Sequence, residues 1–484
     1  MLSFIESILV EFRCCFRREA TFKWFVVCTV AMMLRSDCLG VTSAIRDLCL
    51  LPGCYECLLH FFRSRAFSLE ELRQTWYRIV RDRAPLAVCR GRVILVGDGV
   101  KQAKEGRRMP GVKKMAQESE TCSKPEYIHG HMFGALGAVV QTSVKRFCTP
   151  LRINIQEGLK EASSWEEGKD ILCISGGNHI EQMVEAAFEA AGALGNAYLL
   201  LDRYFLSKTA LRLLDRLNTE ASKETKRIEI ITKAKVNCRA YMKPLPKRDG
   251  KRGRPPIKGK TIRIMDLFER ERRFTKTWVH LYGSCECVSY YCINLLWGTG
   301  LYHELRFVLV ERRSGERSIL VSTDLTLRPK NIIELYGARF SIEESFREMK
   351  QQVGAFSYHF WTKSLPKLSH FARKGDPDPL SKVKTPSPRR RVLATVKATE
   401  VFVLCAAVAT GTLQMISLDR RLSADAYDLR YLRTKSSKAP SEGTVMYYLR
   451  KRIFTLLSKA PGSFITRYIQ EKQKDDIDHL DMSA

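Results

Sequence analysis

Three carboxylates stand out among the 484 residues by where they fall. Asp98 closes the apolar run "RVILVGD", Asp202 closes "AYLLLD", and Glu343 lies in "YGARFSIEESFREMK", Tyr336 to Lys350. A continuous apolar run bounded by turn residues suits a buried strand, so each aspartate stands at a strand end. If the two strands are adjacent and parallel, their ends are about 4.8 Å apart. Carboxylates that close repel each other and raise a pKa unless a cation sits between them. A third carboxylate, Glu343, brought by a helix over the strand ends, completes a set of hard oxygen donors. Mg²⁺ prefers such donors together with retained waters and substrate phosphate.

Helical phase singles out Glu343 from its neighbours Glu344 and Glu348. With Asn331–Gln352 taken as one α-helix at about 100° per residue, Tyr336, Arg339, Glu343 and Lys350 share a stripe about 60° wide. Leu335, Ile342, Phe346, Met349 and Val353 form an apolar band beside it, which puts the stripe at the lip of a core. Glu334, Glu344 and Glu348 point elsewhere. The competing reading is an ordinary i,i+4 ion pair between Arg339 and Glu343.

Charge narrows the partner. Lys plus Arg number 81 against 52 Asp plus Glu, a net +29 with a pI near 9.6. An excess of that size predicts a polyanion or a membrane surface. "WFVVCTVAMML" is too short to span a bilayer, which takes about 20 residues. "VFVLCAAVATGTLQMISL", Val401 to Leu418, carries Thr and Gln and follows Glu400, so a buried helix is expected and no membrane partner. With Glu6 ahead of any positive region, the first residues do not read as a secretion signal. Nucleic acid leads. The 16 cysteines lack disulfide-framework spacing and read as reduced, inert thiols. A zinc site from Cys54 and Cys57, or from Cys285, Cys287 and Cys292, lacks a second pair of ligands at standard spacing.

The chain reads in six parts. Residues 1–88 form a helical N-terminal region; 89–235 an α/β core; 236–325 a β-rich insertion entered through the basic loop Lys243–Lys260. The final core helix occupies 326–365, a basic Pro-rich linker 366–398, and a helical C-terminal region 399–484.

Tyr336-x2-Arg339-x3-Glu343-x6-Lys350 resembles the Tyr-Arg-Glu-Lys signature of the DDE insertion-sequence transposases, with its spacing intact. "VGDGVKQAKEGRRMPGVKKM" and "YLLLDRYF" are similar to the first and second Asp segments of that family. The likeness runs from about Gly91 to Trp361. It departs at Phe340, where the family commonly has Trp, a packing change that touches no ligand.

The resemblance implies an α/β RNase H-like catalytic core interrupted by a β-rich insertion and flanked by helical N- and C-terminal regions. It implies Asp98, Asp202 and Glu343 as the catalytic metal triad for two-metal phosphoryl transfer, using Mg²⁺ with Mn²⁺ able to substitute. The expected activity is cleavage and transfer of DNA strands at the terminal inverted repeats of an insertion sequence. The expected partners are double-stranded DNA, both ends and target, and further copies of the chain in a synaptic complex. The setting would be the cytoplasm, with the nucleoid. A nuclease that cuts without joining, or a noncatalytic DNA-binding derivative, are the alternatives.

Further DNA contacts are expected from Tyr336, Arg339 and Lys350 on phosphates, and from Lys104, Arg107 and Arg108 in the basic loop after Asp98. Arg252 and Arg254 sit in Arg-Gly-Arg-Pro, either an AT-hook entering a narrow minor groove or a basic loop on backbone phosphates. His129 and His131 read as structural, since Mg²⁺ sites rarely take imidazole. Trp278 and Trp297 could stack on a base, with core packing the alternative. The N-terminal helices are expected to read the ends. The tail helices, "ATEVFVLCAAVATGTLQMI" (Ala398 to Ile416) in particular, are expected to make subunit contacts that are dispensable to the core.

Overall fold

The computed structural model describes all residues except 38–39, 118–125, 169–176, 222–225, 246–254, 270–272, 370, 372–376, 429–438 and 474–484. The chain divides into two units, each assembled from separate stretches of sequence. One comprises Met1–Pro85, Gly99–Gln182 and Glu343–Ala484; the other comprises Leu86–Asp98 and Met183–Ile342.

The first unit is organised around the helix Pro386–Leu418. Proline at its first turn suits the entry, where its fixed φ is helical and its missing N–H is not needed. Every residue from Thr395 to Leu418 is buried. Helices Glu19–Leu34, Cys54–Arg63 and Glu442–Ser458 and the strand Arg146–Ile155 lie against it. That strand pairs antiparallel with Tyr127–Gln141, which pairs in turn with Lys113–Ala116. The Pro386–Leu418 helix is long and apolar enough to cross a membrane, yet its apolar window is wholly buried within the protein.

Its polar residues explain the difference. Glu400 accepts from Arg73 Nη2 at 2.9 Å and from the Ile155 amide at 3.1 Å. Gln414 accepts from Thr149 Oγ1 at 2.9 Å and donates to Glu442. Each would be unsatisfied in lipid; here both tie the helix to the strand Arg146–Ile155, Glu400 also to Arg73 and Gln414 also to Glu442.

Two expectations are corrected here. The stretch 366–398 is not a linker throughout, because the central helix starts at Pro386. Ala398 to Ile416 is not a surface for subunit contact, because its side chains fill the interior of this unit. Deletion beyond about Leu393 would remove that core.

The second unit is a mixed α/β arrangement. Strand Arg92–Ala103, which belongs to it as far as Asp98, runs parallel to Ala197–Leu200, and that strand parallel to Ile228–Lys233. Antiparallel strands continue the sheet in the order Arg317–Ser322, His303–Glu311, Ser284–Trp297, Arg239–Tyr241, Thr261–Arg263. Thr275–Leu281 forms a hairpin with Ser284–Trp297. Leu295, Phe307, Leu309 and Val321, all nearly inaccessible, make a core with Phe268 under the antiparallel part. Helices His179–Leu194, Lys208–Ala221 and Pro329–Ala338 accompany the sheet, the first entering from the other unit and joining this one at Met183.

Candidate active site

Strands Arg92–Ala103 and Ala197–Leu200 pair from Val93 opposite Ala197 to Val96 opposite Leu200. Carried two residues further, that register would bring Asp98 opposite Asp202; Asp202 stands just past the end of its strand, whereas the strand that carries Asp98 runs on to Ala103 rather than ending there as expected. Both aspartates are half-buried. The backbone holds each in place. Gly97 has no room for a side chain: a Cβ there would come 2.6 Å from the Met183 sulfur and 2.8 Å from Leu201 Cδ2. The Asp202 carbonyl accepts from Thr232 Oγ1 at 2.9 Å and from the Phe205 amide at 3.0 Å, which fixes the turn after the strand.

Arg339 brings a guanidinium to this edge, its Nη1 lying 3.3 Å from Asp98 Oδ2. Tyr336 lies one turn earlier on the helix Pro329–Ala338. Burial pushes its phenol up to about 12; the Arg339 charge pulls the other way and the Asp202 charge adds to the rise. The phenol therefore keeps its proton at neutral pH. Asp98, Asp202, Tyr336 and Arg339, four of the residues named from sequence, thus meet in one unit.

The single helix expected over Asn331–Gln352 is broken. Helix Pro329–Ala338 ends in a tight turn, where the Arg339 amide donates to Tyr336 O and the Ile342 amide to Arg339 O. Ser341 Oγ donates to the Ala338 carbonyl at 2.7 Å, so a side chain takes an acceptor the helical ladder would have used. A second helix, Ser341–Glu348, follows, and Met349–Val353 then widens into a π-turn closed by left-handed Gly354. Phase at 100° per residue cannot be carried from Tyr336 through these irregularities. Leu335, Ile342, Phe346, Met349 and Val353 are nevertheless each buried. Glu343 is exposed rather than at a core's lip, as are Glu344 and Lys350. Glu343 and Lys350 belong to the first unit.

Lys104, expected on a surface loop, is turned into the protein. It is 8% exposed, and its ammonium donates to the Phe356 and Tyr358 carbonyls at 2.6 and 2.8 Å, over the Tyr358 ring. Arg108 donates to the Lys363 carbonyl, while Arg107 is exposed and its carbonyl accepts from the Leu368 amide. Arg252 and Arg254 lie outside the described residues. His131 is buried, bonded through Nδ1 to Tyr358 Oη and through Nε2 to Pro110 O. Trp278 is 62% exposed, so core packing does not account for it, whereas Trp297 packs at the margin of the antiparallel core.

Sequence reasoning passed over Tyr282. It forms, with Gly283, the two-residue turn of the Thr275–Trp297 hairpin, both residues at positive φ, 52° and 80°. Its ring meets Phe340 edge-on at 6.0 Å and lies under the Arg312 guanidinium, and it acts electrostatically on Tyr336. The signal was the Tyr-Gly pair between two alternating runs, a hairpin turn in which only the glycine is the expected type.

In donor type the aspartate pair fits a hard divalent cation: two carboxylates, no thiolate, no imidazole. Among the described residues no group of three or more His, Cys, Asp or Glu is arranged to hold a metal ion. Arg339 stands 3.3 Å from Asp98, so the pair's charge is met in part by a guanidinium.

No family model matches the chain, and no curated protein matches it. Among solved structures it is similar to a piggyBac transposase synaptic complex with hairpin DNA. The two share 10% identity and a TM-score of 0.35 over 95% of this chain and 77% of that one.

Proposed function

We propose that the chain is a transposase of the DDE type, which binds the ends of a mobile DNA element and cuts and joins strands there. The observation that supports this reading most is the parallel register that leads to two carboxylates, one of them beside an arginine, at positions where the sequence resembles that family's aspartate segments. Net charge of +29 supports a polyanionic substrate.

Asp98 and Asp202 would hold the divalent ion, with Glu343 assigned as third carboxylate on the sequence signature alone. Such an ion supplies a water of lowered pKa and charge to stabilise the phosphoryl oxygens. The chain's own groups do the rest. Arg339 sets its guanidinium 3.3 Å from Asp98, and a planar guanidinium fork is suited to phosphate oxygens. Tyr336 keeps its proton, so it serves as a hydrogen-bond donor to phosphate and not as a base. Two ends are taken to be joined by more than one copy of the chain, through surfaces other than the buried Val401–Leu418.

The test is incubation of purified chain with Mg²⁺ and a labelled duplex bearing the element's ends. Nicked and joined products are expected, with cutting lost and binding retained in EDTA. Cutting that survives full chelation would overturn the metal assignment, and nicks without joints would leave a nuclease.

A further inference from the structure

A cavity of about 400 Å³ opens in the first unit, walled by Cys14, Arg17, Arg65, Ser68, Glu71 and Lys397 among others. Three cations therefore share a space with one carboxylate. Lys397 is 4% exposed and donates to the Ser64 carbonyl at 2.9 Å and the Phe67 carbonyl at 2.6 Å. An ammonium has three N–H donors, and these bonds take two. Burial first, and the Arg65 charge second, hold its pKa down to about 8, so the two cations repel each other across the cavity wall. Arg17 and Arg65 are exposed, and neither hydrogen bonds to nor ion-pairs with a described residue. Ser68 caps the helix Leu69–Arg83 by accepting from the Glu71 amide at 3.4 Å, which leaves its own O–H to donate. The positive end of a 15-residue helix thus adds to the same wall.

We propose that this cavity is a phosphate-group site, with Arg17 and Arg65 as the gripping residues, Ser68 as a further donor and Lys397 as a fixed charge at the base. The phosphate could come from a DNA backbone or from a free phosphate ester; the recognising chemistry is the same. None of the residues that wall this cavity is among those assigned to strand cleavage.

Cys14, an exposed thiol on the wall, reports occupancy. The full chain is labelled with N-ethylmaleimide and read peptide by peptide, alone, with pyrophosphate, and with a short duplex of arbitrary sequence. The comparison is the double variant Arg17→Gln, Arg65→Gln, whose fold is checked by its unchanged melting without ligand. Pyrophosphate should slow Cys14 labelling of the wild type by about tenfold at roughly ten times its Kd, and should not protect the variant. If the natural source is DNA, the duplex also protects Cys14, and the variant's salt slope for duplex binding falls by about two. Protection by pyrophosphate alone assigns a free phosphate ester. Wild-type labelling unchanged by both probes, or a variant protected as well as the wild type, overturns the site.

Discussion

Asp98→Asn and Asp202→Asn each keep shape and remove one charge from a facing pair. Each is expected to abolish nicking while leaving duplex binding intact or slightly tighter, since a negative charge near the phosphates has gone. Glu343→Gln should copy them, and Glu344→Gln, equally exposed, should stay within about twofold of wild-type cutting. Parallel cleavage and gel-shift assays read both properties. An inactive Glu344→Gln beside an active Glu343→Gln would end the assignment of the third acid. His131 carries a pH prediction. Burial first, and the Lys104 charge behind it, lower its pKa to about 4, below an unfolded value of 6.5. The unfolded chain therefore takes up the proton first. Stability is full above about pH 6.5, falls as pH drops toward 4, and levels off below. Melting followed from pH 7 to pH 4 should show that decline, and His131→Gln should flatten part of it. A decline of equal size in the variant would place the acid sensitivity elsewhere.

The helix Pro386–Leu418 was half legible. Thr and Gln within Val401–Leu418 marked it as buried in protein rather than lipid, and Thr149 and Glu442 on Gln414 are the reason that inference worked. Its start was illegible, because Pro, Ser and Arg at 386–391 also spell a linker and only tertiary contact decides. The strands leading to Asp98 and Asp202 were legible because a buried parallel strand is a continuous apolar run, whereas the continuation of the first to Ala103 was not, since its residues there are mostly polar or only partly buried. The break at Arg339 was not, since it depends on where one serine hydroxyl points. Glu400→Ala should cost about 3–5 kcal/mol, the range for stripping one partner from a buried pair, here Arg73 at 3% exposure. Gly411→Val should also destabilise, because even a Cβ there would sit 2.5 Å from the Trp76 ring. Chemical denaturation measures both; a loss under about 1 kcal/mol in either would contradict this packing.

Over the whole chain, the excess of cations predicts duplex binding that weakens steeply with salt, linear in log–log form. Truncation after Leu393 should yield insoluble or molten protein rather than a folded core that has lost only its multimers, because the helix it removes is interior. Cooperative melting of that truncation would contradict the account. The central claim, a divalent ion on the Asp98–Asp202 pair, is tested most directly by melting the intact chain and its Asp202→Asn variant in EDTA and in Mg²⁺. A ligand at a hundred times its Kd stabilises by about 2.7 kcal/mol. The wild type should gain that order of stability with Mg²⁺ while Asp202→Asn gains none. In EDTA the variant should be as stable as the wild type or more so, its carboxylate repulsion gone. A wild type indifferent to Mg²⁺, or a variant that gains as much, would contradict the claim.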